Sequence, residues 1–134
     1  MTHTLPWQTP ARNYYPLPKV LCRLGLSPGE IAVYSFLMYC ENRTTYQCYP
    51  SYRTIGEAVG MSRNTVKKHV DSLVEKRLIY TEPTTVTLKD GTKRNGSLLY
   101  TIRPIQEAKD YYVEQQAKAN EKSRLMVQKK PAPL

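Results

Sequence analysis

Two histidines and three cysteines supply all the imidazole and thiol chemistry in this sequence. His3 and His69 lie far apart, and Cys22, Cys40 and Cys48 form no CxxC pair, so the spacing fits no zinc site. An odd cysteine count argues against a closed disulfide framework; free thiols, buried or half-buried in a reducing cytosol, are expected. No apolar run approaches the length needed to span a bilayer, and the N-terminal stretch MTHTLPWQTPARNYYPLP has no apolar signal core. The chain is therefore expected in the cytoplasm, away from membranes. Catalytic hardware is also missing. There is no nucleophile beside a base, no Gly-rich phosphate loop and no carboxylate pair of persuasive spacing, so no enzyme, cofactor or metal is expected.

Acidic residues are scarce as well: 11 against 20 Lys and Arg, for a formal charge of +9 over 134 residues. Such an excess favours a polyanionic partner, with nucleic acid ahead of an anionic membrane surface. Its placement is informative. Arg12, Lys19 and Arg23 stand without an acid in residues 1–26, and Arg63, Lys67 and Lys68 stand without one in residues 62–69. Lys89, Lys93 and Arg94 outnumber Asp90, and five bases in residues 118–130 outnumber Glu121. The remaining acids, among them Glu30, Glu41, Glu57, Asp71, Glu75 and Glu82, read as caps and solvated positions.

The first helix announces itself at Ser27-Pro28-Gly29-Glu30: an N-cap, a proline suited to the first helical position, and a glutamate placed for a capping box. Ile31, Tyr34, Leu37 and Met38 follow at helical spacing, and the helix should end near Glu41-Asn42. A brief strand is expected at Gln47–Tyr49, stopped by Pro50. Ser51 caps a second, short helix with Ile55, Ala58 and Val59 on its inner face, and Gly60 ends it. Ser62 opens a third helix, Arg63 to Lys76, with an apolar stripe of Val66, Val70, Leu73 and Val74. Arg63, Asn64, Lys67, Lys68 and Asp71 fall on its other face. Two helices joined by so short a Gly-containing turn have helix-turn-helix spacing.

Residues 78–81 and 84–88 are β-branched and aromatic, and Asp90-Gly91 favours a type I′ hairpin turn. Ser97–Ile102 returns as the second strand, giving a long hairpin with a basic tip from Lys89 to Asn95. Tyr34, Tyr80 and Tyr100, at apolar-periodic positions, are expected in the core or an interface, and His69 on or near the surface. The division that follows is an irregular N-terminal arm over 1–26, packed through Trp7, Tyr14 or Tyr15; a domain over 27–103; a C-terminal helix over 104–127; and a disordered tail over 128–134. The fold class is mainly α with a β-hairpin wing (α+β), a winged helix-turn-helix with a three-helix core plus a C-terminal helix.

The run from Pro50 to Val70, PSYRTIGEAVGMSRNTVKKHV, followed by Leu73 and Leu78-Ile79, resembles the DNA-reading domain of GntR-type bacterial transcription factors. It is similar also to the N-terminal winged helices of plasmid and phage replication proteins. The resemblance covers about residues 27–103. It implies that Ser62, Arg63, Asn64, Thr65 and Lys67 face DNA and that the hairpin is the wing. The chain departs from GntR regulators after residue 103, where no effector-binding domain is expected, and hence no small-molecule effector.

Physical chemistry gives each candidate a role on double-stranded DNA. The major groove admits one α-helix, and Arg63 and Asn64 suit bidentate pairing with guanine and adenine. Lys67 and Lys68 suit phosphate neutralisation, and Ser62 and Thr65 a phosphate at the helix start. Ser51, Tyr52 and Arg53 at the head of the second helix join the candidate set, as do Lys89, Lys93, Arg94 and Asn95 of the wing. Such modules commonly read two half-sites as a two-fold pair, so a homodimer is expected. The function expected is sequence-specific DNA binding in transcription regulation, or in replication or maintenance of a bacterial mobile element. The alternative is a protein-interaction adaptor that uses the winged-helix surface for docking.

Overall fold

Three serines start three helices. The computed structural model describes residues 14–129; the expected contact through Trp7 and the tail from residue 130 onward lie outside them. Ser27, Ser51 and Ser62 each hold extended backbone, and their hydroxyls accept the N–H of Glu30 (3.2 Å), Thr54 (3.1 Å) and Thr65 (3.2 Å). Each such cap stabilises its helix by about 1 kcal/mol. The helices are α1 (Pro28–Cys40), α2 (Tyr52–Val59) and α3 (Arg63–Glu75). Gly60, at φ +73°, closes α2 in the left-handed conformation, and Ser62 caps α3 two residues later.

The core is where the apolar faces of these helices meet. Val33, Tyr34 and Leu37 of α1, Ile55 of α2, and Val66, Val70 and Leu73 of α3 are all buried. Burial contributes about 1.5–3 kcal/mol for each large apolar side chain. That outweighs the few tenths of a kcal/mol by which each valine disfavours a helix. The inner face of α2 differs from the expectation: Gly56 is buried while Ala58 is exposed. The turn into α3 crosses so close to Gly56 that no side chain fits between them, and Ala58 is rotated outward.

Two further departures concern the first helix and what precedes it. Lys19–Arg23 form a 3-10 turn that seats Leu21 and Leu24 in the core, so these residues pack as part of the domain and not as an irregular arm. Cys22 on that turn is exposed, while Cys40 is half-buried and Cys48 buried; all three are free thiols. Glu30 is not solvated but 7% exposed, and its carboxylate meets Lys76 Nζ at 2.9 Å. The pair ties the start of α1 to the end of α3.

Strands β1 (Gln47–Cys48), β5 (Leu99–Ile102) and β2 (Ile79–Glu82) form an antiparallel sheet in the order β1-β5-β2. Tyr80 pairs with Thr101 and Ile79 with Ile102. Alternation along β2 buries Ile79 and leaves Tyr80 49% exposed; of the three tyrosines expected in the core or an interface, Tyr34 and Tyr100 are core residues. The hairpin continues as a separate ladder of β3 (Thr85–Thr87) and β4 (Lys93–Asn95), every residue of which is exposed. Its turn is not type I′. Leu88 accepts the N–H of Gly91 (3.0 Å) and donates to Thr92 (2.8 Å), leaving a three-residue loop in which Gly91 alone has positive φ, +87°.

The final helix, α4 (Ile105–Lys129), runs two residues past its expected end. Ala108 is buried, and Ile105 and Tyr112 pack on the core, but Val113 and Leu125 are exposed. Arg77, at φ +62°, reaches α4: its guanidinium lies 5.2 Å from the Tyr111 ring centre and 3.6 Å from Glu114. Among the described residues, Tyr46 is the other non-glycine residue at positive φ, +59°. Its N–H donates to Asn42 O (2.6 Å) and its carbonyl accepts from Ile102 (2.9 Å), which holds a conformation that costs about 1 kcal/mol or more. Among the described residues, no helix is long and apolar enough to cross a membrane.

Candidate nucleic-acid interface

The buried stripe of α3 dictates what its other face presents. With Val66, Val70 and Leu73 turned inward, Arg63, Asn64, Thr65, Lys67 and Lys68 are all exposed. The terminal helix does not cover them. Ser62 and Thr65 are less available than expected, because their hydroxyls lie 2.9 Å apart and already serve the cap. Lys67 donates to Asp71 at 2.9 Å, one turn along the same face, and that hydrogen bond raises its pKa. Arg53 is likewise held by Glu57 at 3.0 Å. Among the described residues, Arg63, Lys68, Lys89, Lys93 and Arg94 make no ion pair. These are the cations with charge to give to a ligand.

A groove of about 690 Å³ runs between the head of α3 and the wing. Arg63, Ser51 and Tyr52 form one wall, and Arg94 and Asn95 the other. Five of the expected site residues, from α2, α3 and β4, therefore meet at one cleft. Lys89 and Lys93 stand elsewhere on the exposed wing, Arg53 on the outside of α2, and Lys67 and Lys68 farther along α3. Tyr52 is half-buried, and its phenol pKa is raised, first by burial and then by Asp71, with Lys67 opposing.

Sequence reasoning missed the floor of this cleft. Ser97, Leu98 and Tyr100 line it, and the Tyr100 hydroxyl is buried without a hydrogen-bond partner among the described residues. Burial pushes the phenol pKa well up. The apolar alternation of β5 marked Tyr100 as core but carried no sign of where its hydroxyl ends. Among the described residues there is no group of three or more His, Cys, Asp and Glu side chains able to hold a metal.

Helices α1 to α3, the small sheet and the β3–β4 ribbon make this chain an α+β winged helix-turn-helix protein. A model of the helix-turn-helix domain matches residues 24–79, which run from Leu24 in the core to the first residue of β2. The fold is similar to that of a protein from Methanosarcina mazei Go1 described as a possible transcriptional regulator, with TM-score 0.51 and 15% identity over 84% of this chain and 86% of that one. Staphylococcus aureus MarR, solved with salicylate and kanamycin, matches at TM-score 0.42 and 16% identity, over 85% of this chain and 65% of that one. Lactococcus lactis ZitR, solved with DNA, matches at TM-score 0.39 and 16% identity, over 86% of this chain and 71% of that one. Among curated proteins nothing matches.

Proposed function

We propose that this chain binds double-stranded DNA with sequence specificity. The α3 head enters the major groove, where Arg63 and Asn64 read base edges. Lys68 meets phosphate, and Lys67 does so when it leaves Asp71. The wing lies on the flanking backbone through Lys93, Arg94 and Asn95. The observation that carries this reading is the exposed, one-signed head of α3 facing Arg94 across an open cleft. The helix-turn-helix match and the formal charge of +9 support it. Specificity comes from the Arg and Asn contacts; the lysines supply affinity that salt weakens.

Two copies bind as a two-fold pair, with the exposed distal part of α4 as the seam. The biological setting is control of transcription, or of replication and maintenance in a bacterial mobile element. Selection of bound sequences from random duplex DNA tests the reading. A palindromic motif is expected, and Arg63→Ala should lose about 1–3 kcal/mol on it and relax the preference at one position. Equal loss on selected and random duplexes would refute base reading by Arg63. Retention on a protein partner that salt does not weaken, with no retention on DNA, would favour the adaptor function instead.

A further inference from the structure

Away from the α3–wing cleft, the end of α1, the 41–46 loop and the start of α4 border two adjoining, half-open cavities of about 380 and 250 Å³. They share Met38, Glu41 and Tyr46 as walls. Tyr34 lines the larger cavity, and Tyr15 and Tyr39 the smaller.

Three features of these walls are not required by packing of the core. The first is Glu41. Its Oε2 is buried and has no hydrogen-bond partner, and Glu41 makes no ion pair among the described residues. Arg43 on the rim lies beyond ion-pair distance, and Arg103 on the opposite rim is engaged by Glu107. The second is Tyr46, held at φ +59° with its side chain more than half exposed, so the strained backbone is not repaid by core packing. The third is an aromatic rim: Tyr39 lies 5.8 Å from Tyr15 and 5.9 Å from Phe36, ring centre to ring centre.

We propose that this double cavity binds a protonated organic amine, with the ammonium on Glu41 and the apolar body against Tyr34, Tyr39 and Tyr46. An ionised carboxylate only accepts hydrogen bonds, and an ammonium brings three donors and the compensating charge. Tyrosine faces attract cations, and most strongly where water is excluded. A neutral alcohol offers one donor and no charge, and an anion meets Glu41 as a like charge. Burial pushes the Glu41 carboxyl pKa up, with Arg43 opposing, as expected of a carboxylate whose counter-ion is not in place. The sequence alone gave no reason to expect a small-molecule site.

Titration of the full chain with phenethylammonium chloride, followed by backbone amide NMR, tests the proposal. Millimolar ligand should shift the amides of residues 38–46, and phenethyl alcohol at equal concentration should not. Glu41→Gln should weaken binding about tenfold or more, the loss expected for a charge-assisted contact. Tyr46→Gly relieves the positive φ, so it should raise the melting temperature by a few degrees while still weakening the amine. A purely structural Tyr46 predicts the stability gain without the binding loss. Nα-acetyl-lysinamide distinguishes the source of the amine: tighter binding of this probe assigns the site to a lysine side chain of a partner, and tighter phenethylammonium assigns it to a free amine. The proposal is overturned if neither probe shifts these amides, or if Glu41→Gln binds as tightly as the natural chain.

Discussion

Replacing Gly56 by alanine tests whether the helix-turn-helix angle is set by backbone contact. A Cβ at Gly56 would stand 2.3 Å from the Met61 carbonyl oxygen, where atoms closer than 3.0 Å are essentially never seen. The obstacle is main chain, and Met61 N–H donates to Gly56 O at 2.9 Å, so the turn cannot retreat without losing that bond. Overpacking of this kind costs about 1–3 kcal/mol. Alanine returns about 1 kcal/mol of helix propensity. Because the obstacle is main chain, the clash lies toward the upper end of that range and outweighs the gain; we expect Gly56→Ala to lose up to about 2 kcal/mol, or several degrees in melting temperature. Gly60→Ala is the comparison. Its φ is +73° but nothing lies within 4 Å, so it carries a conformational cost of about 1–2 kcal/mol and leaves α3 in place. Urea unfolding gives the stabilities, and duplex binding at a temperature where both variants are folded gives the geometry. Only Gly56→Ala should weaken DNA. If it unfolds at the same urea concentration as the natural chain and binds DNA equally well, the reasoning fails.

Three further outcomes follow from the contacts. Lys93→Ala should weaken all duplexes alike and reduce the slope of log affinity against log salt by about 1; an unchanged slope removes Lys93 from the interface. Lys76→Met leaves the carboxylate of Glu30 buried and unpaired, and should cost about 2–3 kcal/mol in urea unfolding, less when combined with Glu30→Gln; equal single and double losses would refute the pairing. Burial, aided by Glu41, pushes Tyr34 from 10.0 to about 12, and burial, aided by Cys40 and Glu41, pushes Cys48 from 9.0 to about 12. The fold therefore favours the protonated forms. Their contribution is intact below about pH 9 and is lost as pH rises toward 12, at about 1.4 kcal/mol per pH unit for each group. Urea midpoints between pH 8 and 11 should fall, and should fall less steeply in Tyr34→Phe; parallel curves would refute the Tyr34 part.

The helices and their caps were legible because each signal is local. A serine, its third neighbour and an apolar period of 3.6 lie within one turn of each other, and Ser27, Ser51 and Ser62 all cap as read. The outward placement of Arg63, Asn64, Lys67 and Lys68 followed from the valines between them. What escaped the reading depends on distant partners. Glu30 looked solvated because Lys76 is 46 residues away. Ala58 looked internal because apolar character was weighed without the helix crossing that selects Gly56. The Asp90-Gly91 dipeptide fits either a two-residue or a three-residue loop, and the choice rests on the pairing of Leu88 with Thr92. The Glu41 cavity draws on α1, the loop after it and α4, a convergence that no single stretch of sequence displays.

The break between the two ladders of the hairpin gives the wing its own thermodynamics. Pro83 and Thr84 on one side, and Gly96 to Leu98 on the other, part the β3–β4 ribbon from the β1-β5-β2 sheet; Gly96 N–H donates to Thr84 O at 2.9 Å and the Thr84 hydroxyl donates to Ser97 O across the break. An isolated two-stranded ribbon with no buried side chain is marginal in water. Its amide protons should therefore exchange with solvent long before those of α3, through openings that leave the helices intact. A ribbon so poised can adapt to surfaces of different shape, at the cost of ordering itself on each one.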